Sequence, residues 1–158
     1  MDNQNYQVKQ ELIQKLLAVA NGEVGVEEVP RGSNDGKRVR EYLTSAGINV
    51  PAPWCMAFVY WCLQQVGVTG VPRTAHCGTM WNKAKEKRVC CVNNAQPGDV
   101  FIQIFQSGNG HAGIVEYVEG EYVYTIEGNT NDEGSREGYE VCRRKRHVST
   151  MKGFLRFI

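Results

Sequence analysis

The chain has 158 residues, a formal net charge of +1, and a composition that is 42% hydrophobic and 22% charged. That balance suits one globular domain over residues 1–158, and it lacks the global field that would recruit nucleic acid or a membrane surface. No apolar run approaches the ~18 residues of a membrane span. The polar opening "MDNQNYQVKQELIQ" has no basic flank and apolar core, so synthesis in the cytoplasm without a secretory signal is expected.

Taken in chain order, residues 4–20 set Val8, Leu12, Ile13, Leu16, Leu17 and Ala20 at helical spacing, and Asn21-Gly22 stop the helix. The segment "GVEEVPRGSNDGK" is a loop rich in turn residues. A second helix puts Val39, Tyr42, Leu43 and Ala46 on one face, with Gly47 as its C-terminal stop. The stretch "PAPWCMAFVYWCL" gives a third helix over residues 55–66, ended by Gly67, and a short helical piece covers Thr79 to Lys87. Beyond Pro97-Gly98 the period changes. "DVFIQIF", "HAGIVEYV", "EYVYTIEGN", "GYEVCRR" and "GFLRFI" read as strands separated by turns. Helices followed by an antiparallel meander of about five or six strands make an α+β fold. "RRKRH", residues 143–147, is the densest positive run. It reads as a solvated strand edge, with docking to an anionic envelope polymer as the functional alternative.

Six cysteines stand at 55, 62, 77, 90, 91 and 142. No pair has CxxC spacing, and with no export signal they are expected to be free, mostly buried thiols. His76 and Cys77 with Cys90 and Cys91 are the residues a metal would have to use, and no metal is expected. Cys55 is different. Pro53 forces the helix to start beside it, so the thiol lies in the first turn, where free N–H groups and the helix dipole favour a thiolate. Cys62, two turns on, reads as core.

A thiolate nucleophile needs a base. His111 opens a strand, and alternation places it with Gly113, Val115 and Tyr117 on one face. A three-residue loop of Val118, Glu119 and Gly120 puts Tyr117 opposite Glu121 and Glu127 directly opposite His111. A carboxylate there would hold the imidazole in one tautomer. Asn129 lies one step beyond on the same face. A one-residue slip would send Glu127 to the other face. His76 and His147 are weaker bases, having no paired carboxylate or sitting in the basic run.

The succession "WCMAFVYWCL", "PGDVFIQI", "GHAGIVEYV" and "YTIEGNT" resembles the CHAP family of cysteine peptidases and amidases, bacterial and phage enzymes that cut peptidoglycan on a papain-like fold. The resemblance covers roughly residues 5–158. It implies Cys55 as nucleophile, His111 as general base and then acid, Glu127 as its orienting group and Asn129 as a further polar member. Trp54 and Trp81 are candidate substrate-binding aromatics. The implied reaction is acyl transfer through a thioester, without cofactor. The implied partner is the peptide stem of bacterial peptidoglycan, with a monomer acting on the wall or periplasm after holin-type release or injection, and an immunity protein if it is an injected effector. Many relatives carry glutamine or asparagine just before the cysteine. Here Ala52, Pro53 and Trp54 stand there, so the resemblance supplies no second oxyanion donor. The alternatives are a non-catalytic peptidoglycan-binding module and a cysteine acyl transferase.

Overall fold

The computed structural model describes residues 2–130 and 138–158. Four helices, α1 (Asn3–Gly22), α2 (Lys37–Ser45), α3 (Cys55–Gln65) and α4 (Cys77–Lys83), precede five strands. The strands are β1 (Val100–Ile104), β2 (Gly110–Glu119), β3 (Tyr122–Thr130), β4 (Glu140–His147) and β5 (Gly153–Leu155). The antiparallel sheet has the order β4-β3-β2-β1-β5, so the chain returns past the meander to add β5 on the far side of β1. The α+β class follows from this layout. The short helical piece expected from Thr79 starts at Cys77, because the His76 side chain accepts the Thr79 N–H at 3.0 Å and caps it. It breaks at Ala84, and a 3-10 turn covers Lys85–Lys87.

The sheet is buried on both faces by period-two alternation. Val100, Ile102, Ala112, Ile114 and Ile126 meet the helices, while Phe101, Val115 and Val123 pack under Val148, Met151 and Phe154. α3 is apolar almost all round and buries Cys55–Val59, Cys62 and Leu63, as a helix threaded through a core must. It rests on β3 at Gly128, where a Cβ would come within 2.7 Å of the Trp54 ring and 2.8 Å of the Phe58 Cβ.

The loop before α2 closes the start of the edge strand. Gly25 N–H donates to Val141 O, Val141 N–H to Val26 O, and Glu28 N–H to Tyr139 O. Two buried carboxylates fasten this loop to the core. Glu23 accepts the Tyr42 hydroxyl at 2.9 Å, and Glu28 accepts the Trp54 indole N–H at 2.8 Å. Trp54 is therefore not the substrate-binding aromatic expected above. It is fully buried and stacked on Tyr42, with ring centroids 5.6 Å apart. Trp81 is half-buried. Its ring fills the space left by Gly153 and carries the Arg88 guanidinium 4.2 Å above it.

The β2–β3 hairpin corrects the expected register. Its loop has two residues, Gly120 and Glu121, with Glu119 paired to Tyr122 and Tyr117 to Tyr124. Continued without interruption, that pairing would turn Glu127 away from the face that carries His111. A bulge between Val115 and Tyr117 consumes one residue and restores the face, giving Val115↔Thr125 and Ile114↔Ile126. Glu127 thus neighbours Gly113 rather than standing directly opposite His111, and a Cβ on Gly113 would lie 2.7 Å from the Glu127 Cγ.

Candidate active site

Three elements meet at one end of the sheet. The first residue of α3 supplies Cys55, the start of β2 supplies His111, and β3 supplies Glu127. All three side chains are almost sealed from solvent, at 4%, 1% and 0% exposure. His111 Nε2 lies 2.7 Å from Glu127 Oε1. A carboxylate only accepts, so Nε2 carries the proton and Nδ1 is the nitrogen left for chemistry. Nδ1 is buried without a hydrogen-bond partner of ordinary geometry among the described residues, and Cys55 interacts with the same ring. The sulfur also accepts the backbone N–H of Ala112 and is hydrogen-bonded by the Cys77 side chain.

Glu127 is held by more than histidine. Arg146 Nε donates to Oε2 and Nη2 to Oε1, both at 2.5 Å, and the Thr125 hydroxyl donates to Oε2 at 2.5 Å. The Arg146 side chain is only 14% exposed, so this member of "RRKRH" is not the solvated edge charge expected for the run. Phe101 floors the group, its ring 5.8 Å from that of His111 and 5.6 Å from the Arg146 guanidinium carbon.

The charges explain one another. Burial, the largest single influence on Glu127, pushes its carboxyl up, but Arg146 and His111 together outweigh it and hold it at about 2. Burial likewise pushes His111 down, and the partners Cys55 and Glu127 overcome it, raising the imidazole to about 9. The Cys77 hydrogen bond is the largest influence on Cys55. With the His111 charge it brings the thiol well below its ordinary range, against burial. These directions favour a row of alternating charges, Arg146⁺, Glu127⁻, His111⁺ and Cys55⁻. Each buried ion has an opposite neighbour, the condition under which burying charge is tolerable. Cys62, in the same helix but away from its start, is pushed well above its ordinary value by burial.

Of the residues expected at the site, the structure brings together Cys55, His111 and Glu127. Asn129 is fully buried with a left-handed φ of 55°, and its side-chain amide has no hydrogen-bond partner among the described residues. The sequence reading missed Arg146, Thr125 and Cys77. Period-two spacing in "RRKRH" puts Arg144 and Arg146 on one face, but only the β3–β4 register, with Val123↔Arg146 and Thr125↔Arg144, shows that this is the face of Glu127. His76 and His147 serve as local caps, accepting from the Thr79 and Ser149 N–H groups.

A family model described as CHAP domain matches residues 47–129, the span that holds Cys55, His111, Glu127 and Asn129. Among curated proteins no significant relative is found. Among solved structures, the wild type endolysin LysIME-EF1 is similar with a TM-score of 0.59 at 18% identity, covering 91% of this chain and 63% of that one. Ly7917 gives a TM-score of 0.45 at 15% identity, covering 91% and 62%. The chain spans less than two thirds of the length of either, and the first likeness is one of fold.

Proposed function

Because the chain belongs to the CHAP domain family, we propose that it is a cysteine amidase or peptidase that cleaves an amide bond in the peptide stem or crosslinks of bacterial peptidoglycan. The observation that carries this reading is the buried line from Arg146 through Glu127 and His111 to a thiol at the start of a helix. A non-catalytic binding module would gain nothing from ionising a buried cysteine.

In this reading the Cys55 thiolate attacks the amide carbonyl. The His111 imidazolium gives its Nδ1 proton to the leaving amine while Nε2–H stays on Glu127. Neutral His111 then takes a proton from water, which releases the acyl group from the sulfur. The backbone N–H of Cys55, in the unpaired first turn of α3, is the oxyanion donor the fold offers. Asn129 is the further polar member, its buried amide without a hydrogen-bond partner among the described residues.

The test is digestion of purified peptidoglycan with the full chain. New free amino groups without new reducing sugars are expected, and fragment masses assign the bond, whether the N-acetylmuramoyl-L-alanine amide or one within the stem or crosslink. Cys55→Ala should abolish the release while the variant still folds, with the far-ultraviolet circular dichroism spectrum of the parent. New reducing ends, or undiminished release by that variant, would end this reading.

A further inference from the structure

Cys77 is a thiol the hydrolytic mechanism does not use, yet it is built into the site. It opens α4 as Cys55 opens α3, and both side chains lie along one face of β2. The Cys55 sulfur accepts the Ala112 N–H. The Cys77 Cβ lies only 2.7 Å from where a Cβ on Gly110 would stand. Alternate strand residues share a face and lie about 6.6 Å apart along it, so the two cysteines sit side by side on neighbouring positions of one strand. Glycine at 110 is what lets Cys77 approach, since any side chain there would displace it. Both cysteines belong to one buried cluster and are nearly sealed, at 4% and 5% exposure, and Cys77 is the largest influence holding the Cys55 thiol low. The other cysteines are placed elsewhere. Cys62 is fully buried further along α3, Cys142 stands on β4 in register with Glu127, and Cys90 and Cys91 are exposed in the segment before β1.

We propose that Cys77 is a resolving thiol for Cys55, so that oxidation by a peroxide ends in a reversible Cys55–Cys77 disulfide that caps the nucleophile. The Cys55 thiolate attacks one peroxide oxygen. The O–O bond breaks, the departing hydroxide takes a proton and leaves as water, and Cys55 becomes a sulfenic acid. The Cys77 thiol gives up its proton and its sulfur attacks the Cys55 sulfur. The S–OH bond breaks, and the hydroxide leaves with that proton as a second water. Two thiols have lost two electrons and one peroxide has gained them. A buried neighbouring thiol intercepts the sulfenic acid before more peroxide converts it irreversibly to the sulfinic acid. Only the consequence for hydrolysis rests on the function proposed above; the disulfide itself does not.

The full chain is treated with excess hydrogen peroxide, alkylated and mapped without reduction. The expected product is a Cys55–Cys77 linked peptide, with loss of iodoacetamide labelling at Cys55 that dithiothreitol restores together with hydrolysis. In Cys77→Ser the same excess should carry Cys55 to the sulfinic acid, and reductant should not bring labelling back. Wild-type Cys55 found as sulfinic acid, or joined to any other cysteine, overturns the proposal, as does full recovery by Cys77→Ser. A linked peptide from a chain that releases no amino groups would count against the hydrolase reading alone.

Discussion

Arg146 illustrates how one side chain can decide what its neighbour is. Glu127 has no exposure, and its carboxylate is shared between a guanidinium fork, a hydroxyl and an imidazole. Removing one partner from a buried ion pair typically costs about 3–5 kcal/mol, far more than the ~0–1 kcal/mol of an exposed pair. Arg146→Met should therefore lower stability by roughly 3 kcal/mol and activity by about tenfold or more. The sign on pH follows from the cause. With its main cationic partner gone, burial raises the Glu127 carboxyl from about 2, so the acid limb of the rate profile moves to higher pH. Arg146→Lys keeps the charge but not the fork, and should shift the limb less. A pH–rate profile of Arg146→Met that superimposes on the parent's would show that Arg146 only packs.

The elements were legible to different degrees, for physical reasons. Helix ends carry local punctuation, and Gly47 and Gly67, with φ of 89° and 77°, stop α2 and α3 where expected. Cys55 and His111 were readable because each sits at an element's start. Glu127 was reached through a loop of the wrong length, and the correct face survived because the bulge at Glu116 cancels the parity change of the tighter turn. Arg146, Cys77 and the burial of Trp54 were not legible, because each depends on a partner distant in sequence. Trp54 adjoins the nucleophile, but its indole N–H is claimed by Glu28 from the first loop. Gly128 has the same character, a strand residue whose meaning lies in the helix above it. Gly128→Ala would drive a methyl against the Trp54 ring and the Phe58 Cβ at 2.7 and 2.8 Å. Overpacking of this kind costs about 1–3 kcal/mol. The urea midpoint should fall with an unchanged slope, and activity should fall too, since Trp54 is the residue that leads into Cys55. A variant as stable and as active as the parent would mean that α3 does not rest on β3 as closely as described.

At the scale of the whole molecule, the ion pair at the site leaves a mark on how folding responds to pH. His111, raised to about 9 against roughly 6.5 unfolded, contributes stability that is complete below 6.5 and lost as pH rises through 9. Cys55, lowered well below its ordinary value against roughly 8.5 unfolded, contributes stability that is present above 8.5 and lost as pH falls through its folded value. Between about 6.5 and 8.5 the two slopes cancel, because the native pair holds one proton on histidine while the unfolded pair holds one on sulfur. The pair's contribution should therefore be flat in that window, falling below it as the unfolded histidine gains a proton and above it as the unfolded thiol loses one. Urea unfolding of the parent and of the Cys55→Ala, His111→Gln double variant, measured across pH, isolates this contribution as a difference and removes the other titrating groups. Thiolate ultraviolet absorbance at neutral pH, absent from the variant, should accompany the plateau. A difference curve that declines steadily from about 6.5 upward would mean that histidine alone is charged and the sulfur rests as a neutral thiol. The nucleophile would then have to be ionised by His111 during each attack rather than before it.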